Sequence, residues 1–128
     1  MIAYLDSSAL VKLIFPEGES PALARELAAW PNRASSVLAR VEVLRTARLL
    51  DVAEGAAGAL MRSLLLVPMD DRVLGAAAWL EPASVKSLDA IHVATALSLG
   101  DDLGAIFTYD RRMQEAAAEA GANVLAPA

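Results

Sequence analysis

No cysteine occurs in this chain, so neither a disulfide framework nor a thiolate metal site is open to it, and an unstapled fold suits a reducing cytoplasm. Histidine is nearly absent as well, and the single His92 excludes a site built on several imidazoles. No apolar run reaches the roughly 18 residues that would suggest a bilayer span, and the first residues lack the basic lead of a signal peptide. A soluble protein with no membrane attachment is therefore expected. Internal repeats and low-complexity stretches are missing too. Positive charge is short: 11 Lys and Arg against 16 Asp and Glu leave a net charge of −5, which argues against broad attraction to nucleic acid.

What remains is apolar. Of the 128 residues 56% are hydrophobic and the mean hydropathy is +0.43, more than a small monomer needs, so an oligomer or a complex is expected. The length fits a single domain over residues 1–128, which buries about two-thirds of its unfolded surface.

The apolar pattern alternates between strand and helix. "IAYL" reads as a buried strand and "ALVKLIF" as the helix after it. "ESPALARELAAW" is a second helix, with Ser20 as its cap and Pro21 at its first turn. A short strand in "NRASSV" leads into a long helix from Ser36, "VLARVEVLRTARLL". Helix from Glu54 to Leu64, strand in "LLLVPM" and a short helix "DRVLGAAAWL" follow. "LDAIHVATALSLG" is a helix capped at Ser87, "AIFTYD" a strand ending in Asp110, "RRMQEAAAEAG" a helix and "NVLAP" a last strand. Such alternation implies a parallel sheet with helices on both faces.

In an open parallel sheet, sites form beyond the carboxyl ends of the strands where the strand order reverses. Two predicted strands end there in an acid, Asp6 and Asp110, each followed by a helix. Asp6 has two readings, a helix N-cap or a ligand. Asp89 lies in the first turn of its helix between apolar neighbours, and is either a charge favoured by the helix dipole or a buried ligand. Glu42 lies well inside a helix between Val41 and Val43, where only Arg45 offers it a surface partner. Carboxylates held close together repel, so a cluster persists only with a bound cation or a shared proton. Oxygen donors favour Mg²⁺ or Mn²⁺, the ions of phosphate chemistry.

Four strings carry a family likeness: "YLDSSALVKL", "SSVLARVEVLRTA", "LDAIHVATAL" and "FTYDRRM", in this order over nearly the whole chain. Through them the chain resembles a PIN-domain ribonuclease of the VapC toxin type. The resemblance implies a three-layer α/β/α fold with a mostly parallel sheet. It also implies a Mg²⁺- or Mn²⁺-dependent endoribonuclease, the toxin of a toxin–antitoxin pair. Asp6, Glu42, Asp89 and Asp110 match the catalytic, metal-binding acids, with Ser8 and Thr108 as nearby hydroxyls; no expected acid is missing. A small antitoxin that occludes the acidic pocket and a homodimer are further implications.

Other residues keep two readings. His92, one turn after Asp89, is either a hydrogen-bonded structural histidine or part of the site. Arg45, Arg111 and Arg112 either contact RNA phosphates or serve locally, Arg45 by orienting Glu42. Trp30, Trp79, Met61, Met69 and Met113 read as core or interface; Asp70, Asp71, Asp101 and Asp102 read as solvated caps. Without the four acids the remaining surface is nearly neutral, so RNA binding has to lean on metal and a few arginines. Two rivals stay open. A receiver-like aspartate signalling domain needs adjacent acids after the first strand and a late lysine, whereas serines follow Asp6. A catalytically silent PIN-like interaction module needs none of the acids.

Overall fold

Five apolar runs form one sheet in the computed structural model, which describes residues Met1–Ala128. They are β1 (Ile2–Leu5), β2 (Asn32–Ser36), β3 (Leu65–Val67), β4 (Leu103–Phe107) and β5 (Val124–Leu125). Every pairing is parallel, in the order β3-β2-β1-β4-β5. The chain steps outward on one side of β1 through β2 and β3, then returns to place β4 on the other. The reversal opens a crevice above the carboxyl ends of β1 and β4, where parallel sheets bind their ligands.

Seven helices cover the sheet: α1 (Ser7–Val11), α2 (Ser20–Leu27), α3 (Leu38–Leu49), α4 (Glu54–Arg62), α5 (Asp71–Ala78), α6 (Ser87–Leu97) and α7 (Arg111–Glu119). Side chains alternate along each strand, and this alternation divides the core into two. Ala3, Leu5, Ala105 and Phe107 pack with residues of α1 to α4. Tyr4, Ala34 and Ile106 face the other way, against Val93 and Ala96 of α6 and Met113 and Ala117 of α7. The three-layer α/β/α architecture is thus present, and its sheet is wholly parallel.

Several boundaries depart from the sequence pattern. α1 ends at Val11 although the apolar series runs to Phe15. Ser20 and Ser87 are first residues of their helices, not caps: the N-caps are Glu19 and Lys86, neither with a side-chain bond. The Ser20 hydroxyl instead accepts from the Glu17 amide. Ser36 closes β2, and its hydroxyl accepts from the Leu38 amide as α3 begins. β4 stops at Phe107, so Asp110 stands three residues beyond the strand, as the N-cap of α7. Asp70 caps α5 through the Val73 amide, as expected, while Asp101 and Asp102 lie in a short 3-10 turn. Met61 and Met113 are core, whereas Trp79 is 86% exposed and Met69 is exposed as well.

Trp30 closes the bottom of the first core, edge-on to Phe107 with ring centroids 5.8 Å apart. It can do so because residue 104 is glycine: a Cβ there would lie 2.3 Å from the indole ring. Gly104→Ala is expected to cost about 1–3 kcal/mol through overpacking. Gly75→Ala, in open space inside α5, should instead stabilise by up to about 1 kcal/mol. Urea unfolding midpoints of the two variants check both signs.

Candidate active site

Asp6 leaves the end of β1 at the crevice and is 2% exposed. The cap reading of this residue holds. Its Oδ1 caps α1 by accepting from the Ala9 amide (3.0 Å), and also accepts from the Ser8 hydroxyl (2.7 Å). Its Oδ2 accepts from the Thr108 hydroxyl (2.6 Å). Each of these hydroxyls is itself oriented by the segment after β4: the Tyr109 amide donates to Ser8 Oγ (2.9 Å) and the Asp110 amide to Thr108 Oγ1 (3.1 Å). With a backbone donor on each hydroxyl oxygen, both O–H protons are directed at the carboxylate. Burial pushes the Asp6 carboxyl upward, and the bonds from Ser8, Thr108 and Ala9 offset that only in part.

The segment is pinned in turn. The ammonium of Lys12 lies 4.7 Å from the centre of the Tyr109 ring and pairs with Glu19 (2.7 Å) and Glu17 (3.5 Å). The Tyr109 hydroxyl donates to the Pro127 carbonyl (2.7 Å), and the Gln114 amide to that of Thr108 (2.9 Å). Asp110 Oδ1 accepts from the amides of Arg112 (2.9 Å) and Met113 (3.2 Å), which caps α7.

Glu42 reaches the crevice from α3. Its partner is not Arg45. Glu42 Oε1 accepts from the Ser7 hydroxyl and from His92 Nε2 (2.6 Å). Burial raises this carboxyl, but the donors His92 and Ser7 outweigh it and hold the group below its ordinary range. His92 is therefore both a buried, hydrogen-bonded histidine and a neighbour of the site. Ser7 was missed as a site residue: next to Asp6 it reads as a first-turn helix residue, and its contact with Glu42, 35 positions away, has no sequence signal.

Asp89 is the third residue of α6, where the helix N-terminus favours negative charge. Its carboxyl is pushed upward, first by partial burial, then by the charges of Asp110 and Asp6 and more weakly by Glu42, with His92 opposing. The four predicted acids thus share one electrostatic field, while Arg45, Arg111 and Arg112 stay outside it. All three are exposed and have no carboxylate partner; Arg45 lies with Arg48 and Leu49, and Arg112 faces Pro82, Ser84 and Val85.

The donor set suits a hard cation in kind. Every acid offers carboxylate oxygen, and the raised carboxyls of Asp6 and Asp89 register a strain that a positive ion relieves. In position the fit is looser, since no three His, Asp or Glu side chains converge to ion-binding distance.

Comparison with known proteins bears on the family and the fold. The sequence matches the PIN domain family over residues 3–119. It is 51% identical over 127 residues to a Mycobacterium tuberculosis protein named Ribonuclease VapC46, covering 97% of this chain and 96% of the relative. Ribonuclease VapC47 of the same species is 36% identical over 130 residues, with the same coverage. Among solved structures, a chain of a toxin-antitoxin complex from Klebsiella pneumoniae superposes with a TM-score of 0.76 over 98% of both chains; at 23% identity it supports the fold.

Burial of these carboxyls, joined at Asp89 by the charges of Asp110 and Asp6, sets a pH dependence. Asp6 and Asp89 titrate higher in the folded chain than their ordinary 3.8, so the folded state binds their protons more tightly and loses stability as pH rises above that value. Glu42 acts oppositely: its contribution is present above its ordinary 4.5 and is lost as pH falls through its lowered folded value. In metal-free buffer at pH 7, Asp6→Asn and Asp89→Asn are expected to melt above wild type, because each removes a charge that burial disfavours and Asn at position 6 also serves as a cap. The gap should close below about pH 3.8, the range in which the carboxyls are protonated. Thermal melts across pH check this, and lower melting of both variants at pH 7 would overturn it.

Proposed function

This chain belongs to the PIN-domain family, and from that premise and the acidic crevice we infer that it is an endoribonuclease, the toxin half of a toxin–antitoxin pair. The observation that carries the reading is the assembly of four acids, remote in sequence, at the reversal point of the sheet. The ribonuclease names of its close relatives point the same way.

The chain's own groups have distinct parts in the reading. Asp6, Asp89 and Asp110 would hold Mg²⁺ or Mn²⁺, with Glu42 binding a second ion or taking the proton of the attacking water as general base. When bound, such an ion polarises the phosphoryl group and lowers the pKa of water. Ser8 and Thr108 keep Asp6 ionisable despite its burial, and Ser7 and His92 do the same for Glu42. Arg45, Arg111 and Arg112 would meet RNA phosphates beside the crevice. With a net charge of −5, affinity for RNA alone should be modest.

The same electrostatics suit an antitoxin. An arginine entering the acidic crevice satisfies charge that otherwise repels, and an amphipathic helix can cover apolar side chains left in water, among them Leu49, 84% exposed. Trp79 and Leu74, both exposed, offer apolar surface for a homodimer. No helix is long and apolar enough to cross a membrane, and cytoplasmic work on RNA belongs to the same proposal. A receiver-like signalling role has no counterpart in the family match. A catalytically silent module would keep the fold and lose the chemistry, so cleavage separates it.

Purified protein should cut single-stranded loops of structured RNA with Mg²⁺ or Mn²⁺ and not with EDTA; cleavage that persists in EDTA would sink the metal-dependent mechanism. Asp6→Asn should fall to background. Mn²⁺ should stabilise wild type by about 2.7 kcal/mol at a hundred times its Kd, and each of Asp6→Asn and Asp89→Asn much less. Equal melting shifts in all three would remove these carboxylates from the metal site. A co-purified antitoxin should abolish cleavage, and one that binds without inhibiting would refute the occlusion.

A further inference from the structure

Asp6 and Asp110 are anchored by backbone amides and neighbouring hydroxyls, but Glu42 is anchored by a chain of buried side chains. His92 Nε2 lies 2.6 Å from Glu42 Oε1, and the other ring nitrogen, Nδ1, lies 2.7 Å from the hydroxyl of Tyr4. Tyr4 is 0% exposed and His92 1%, with the two rings edge-to-face at 5.9 Å. We propose that Tyr4 and His92 are positioning residues for the ribonuclease reaction, tying Glu42 by Oε1 so that Oε2 stays free for the reacting water or a cation. The proposal rests on the endoribonuclease reading above.

Donor and acceptor roles follow from the end of the chain. An ionised carboxylate only accepts, so His92 Nε2 carries the proton between the two groups. In the neutral ring Nδ1 is then an acceptor, and the Tyr4 hydroxyl donates to it. Ser7 donates to the same Oε1, so one oxygen of Glu42 takes both donors. The relay is buried among Val93, Ala96 and Ile106, where hydrogen bonds in series strengthen one another. Packing alone gives no reason for it: a Phe and a Leu fill similar space without the cost of burying polar groups. Its polarity has a use because it ends on a carboxylate of the crevice.

The placement is built into two periodicities. Tyr4 stands two residues before Asp6 along β1, and His92 three residues after Asp89 on α6. Each element therefore supplies one acid to the rim and one relay member behind it. Loss of such a supporting hydrogen bond typically lowers activity by about 10–100-fold.

Because His92 is the only histidine, the imidazole signals of the metal-free, full-length protein belong to one residue. Nitrogen-15 NMR at neutral pH is expected to find a proton on Nε2, protected from exchange, whose signal moves in Glu42→Gln; an unprotonated Nε2 would overturn the proposal. In RNA cleavage, His92→Leu should lower kcat by about 10–100-fold with KM within about twofold of wild type. Tyr4→Phe should lose less, and also through kcat. His92→Gln, which restores a donor near Nε2, should recover most of the rate, and adding Tyr4→Phe to it should cost nothing further. A wild type that cannot cleave RNA sinks the ribonuclease reading. A wild type that cleaves while Tyr4→Phe and His92→Leu retain its kcat, or a His92→Gln no better than His92→Leu, sinks the positioning role alone.

Discussion

A carboxylate buried at the end of the central strand is the constraint on which the rest of this structure depends. Asp6 is removed from water, where an ionised group is costly, and is made tolerable by two hydroxyls and one amide. Those hydroxyls belong to α1 and to the turn after β4, so the groups that hold Asp6 also fix those two segments together. Lys12, Tyr109 and Pro127 extend the same tie to the C-terminal residues.

The neighbouring acids follow one pattern. Glu42 is tied at Oε1 by Ser7 and His92, and Asp110 at Oδ1 by two amides of α7. Each keeps a second oxygen for chemistry. Anchoring by one oxygen fixes direction without consuming the carboxylate, which suits the cation-binding and water-orienting roles proposed for these groups. The cost of burying charge, visible in the raised carboxyls of Asp6 and Asp89 and increased at Asp89 by its acidic neighbours, is stability given up at the crevice.

Much of this was legible in the chain. The alternation of "IAYL" and "AIFTYD" with helical runs predicts the parallel sheet, and the acids after β1 and β4 predict its functional edge. Glu42 was conspicuous because nothing local accounts for an acid at that point of a helix. Local pattern misled where a neighbour decided. Arg45, three residues along α3, was the available partner for Glu42, yet His92 fills that place from another helix. Ser20 and Ser87 resemble caps, but the helices begin one residue earlier than a hydroxyl could cap them. Of the two readings of Trp79, core or interface, its exposure just past the end of α5 excludes the core.

By itself, the sequence determined the element order and the parallel sheet with helices on both faces, while the four acids were singled out together by the family resemblance. Element order and sheet depend on periodicity and residue type, which operate over a few positions. Tertiary structure alone decided that β4 lies beside β1, that Ser7 and His92 meet on Glu42, and that Tyr4 reaches His92 from the central sheet. Hydrogen bonds act over about 3 Å, and which groups come within that range across 35, 50 or 88 positions of chain is set by how the layers pack.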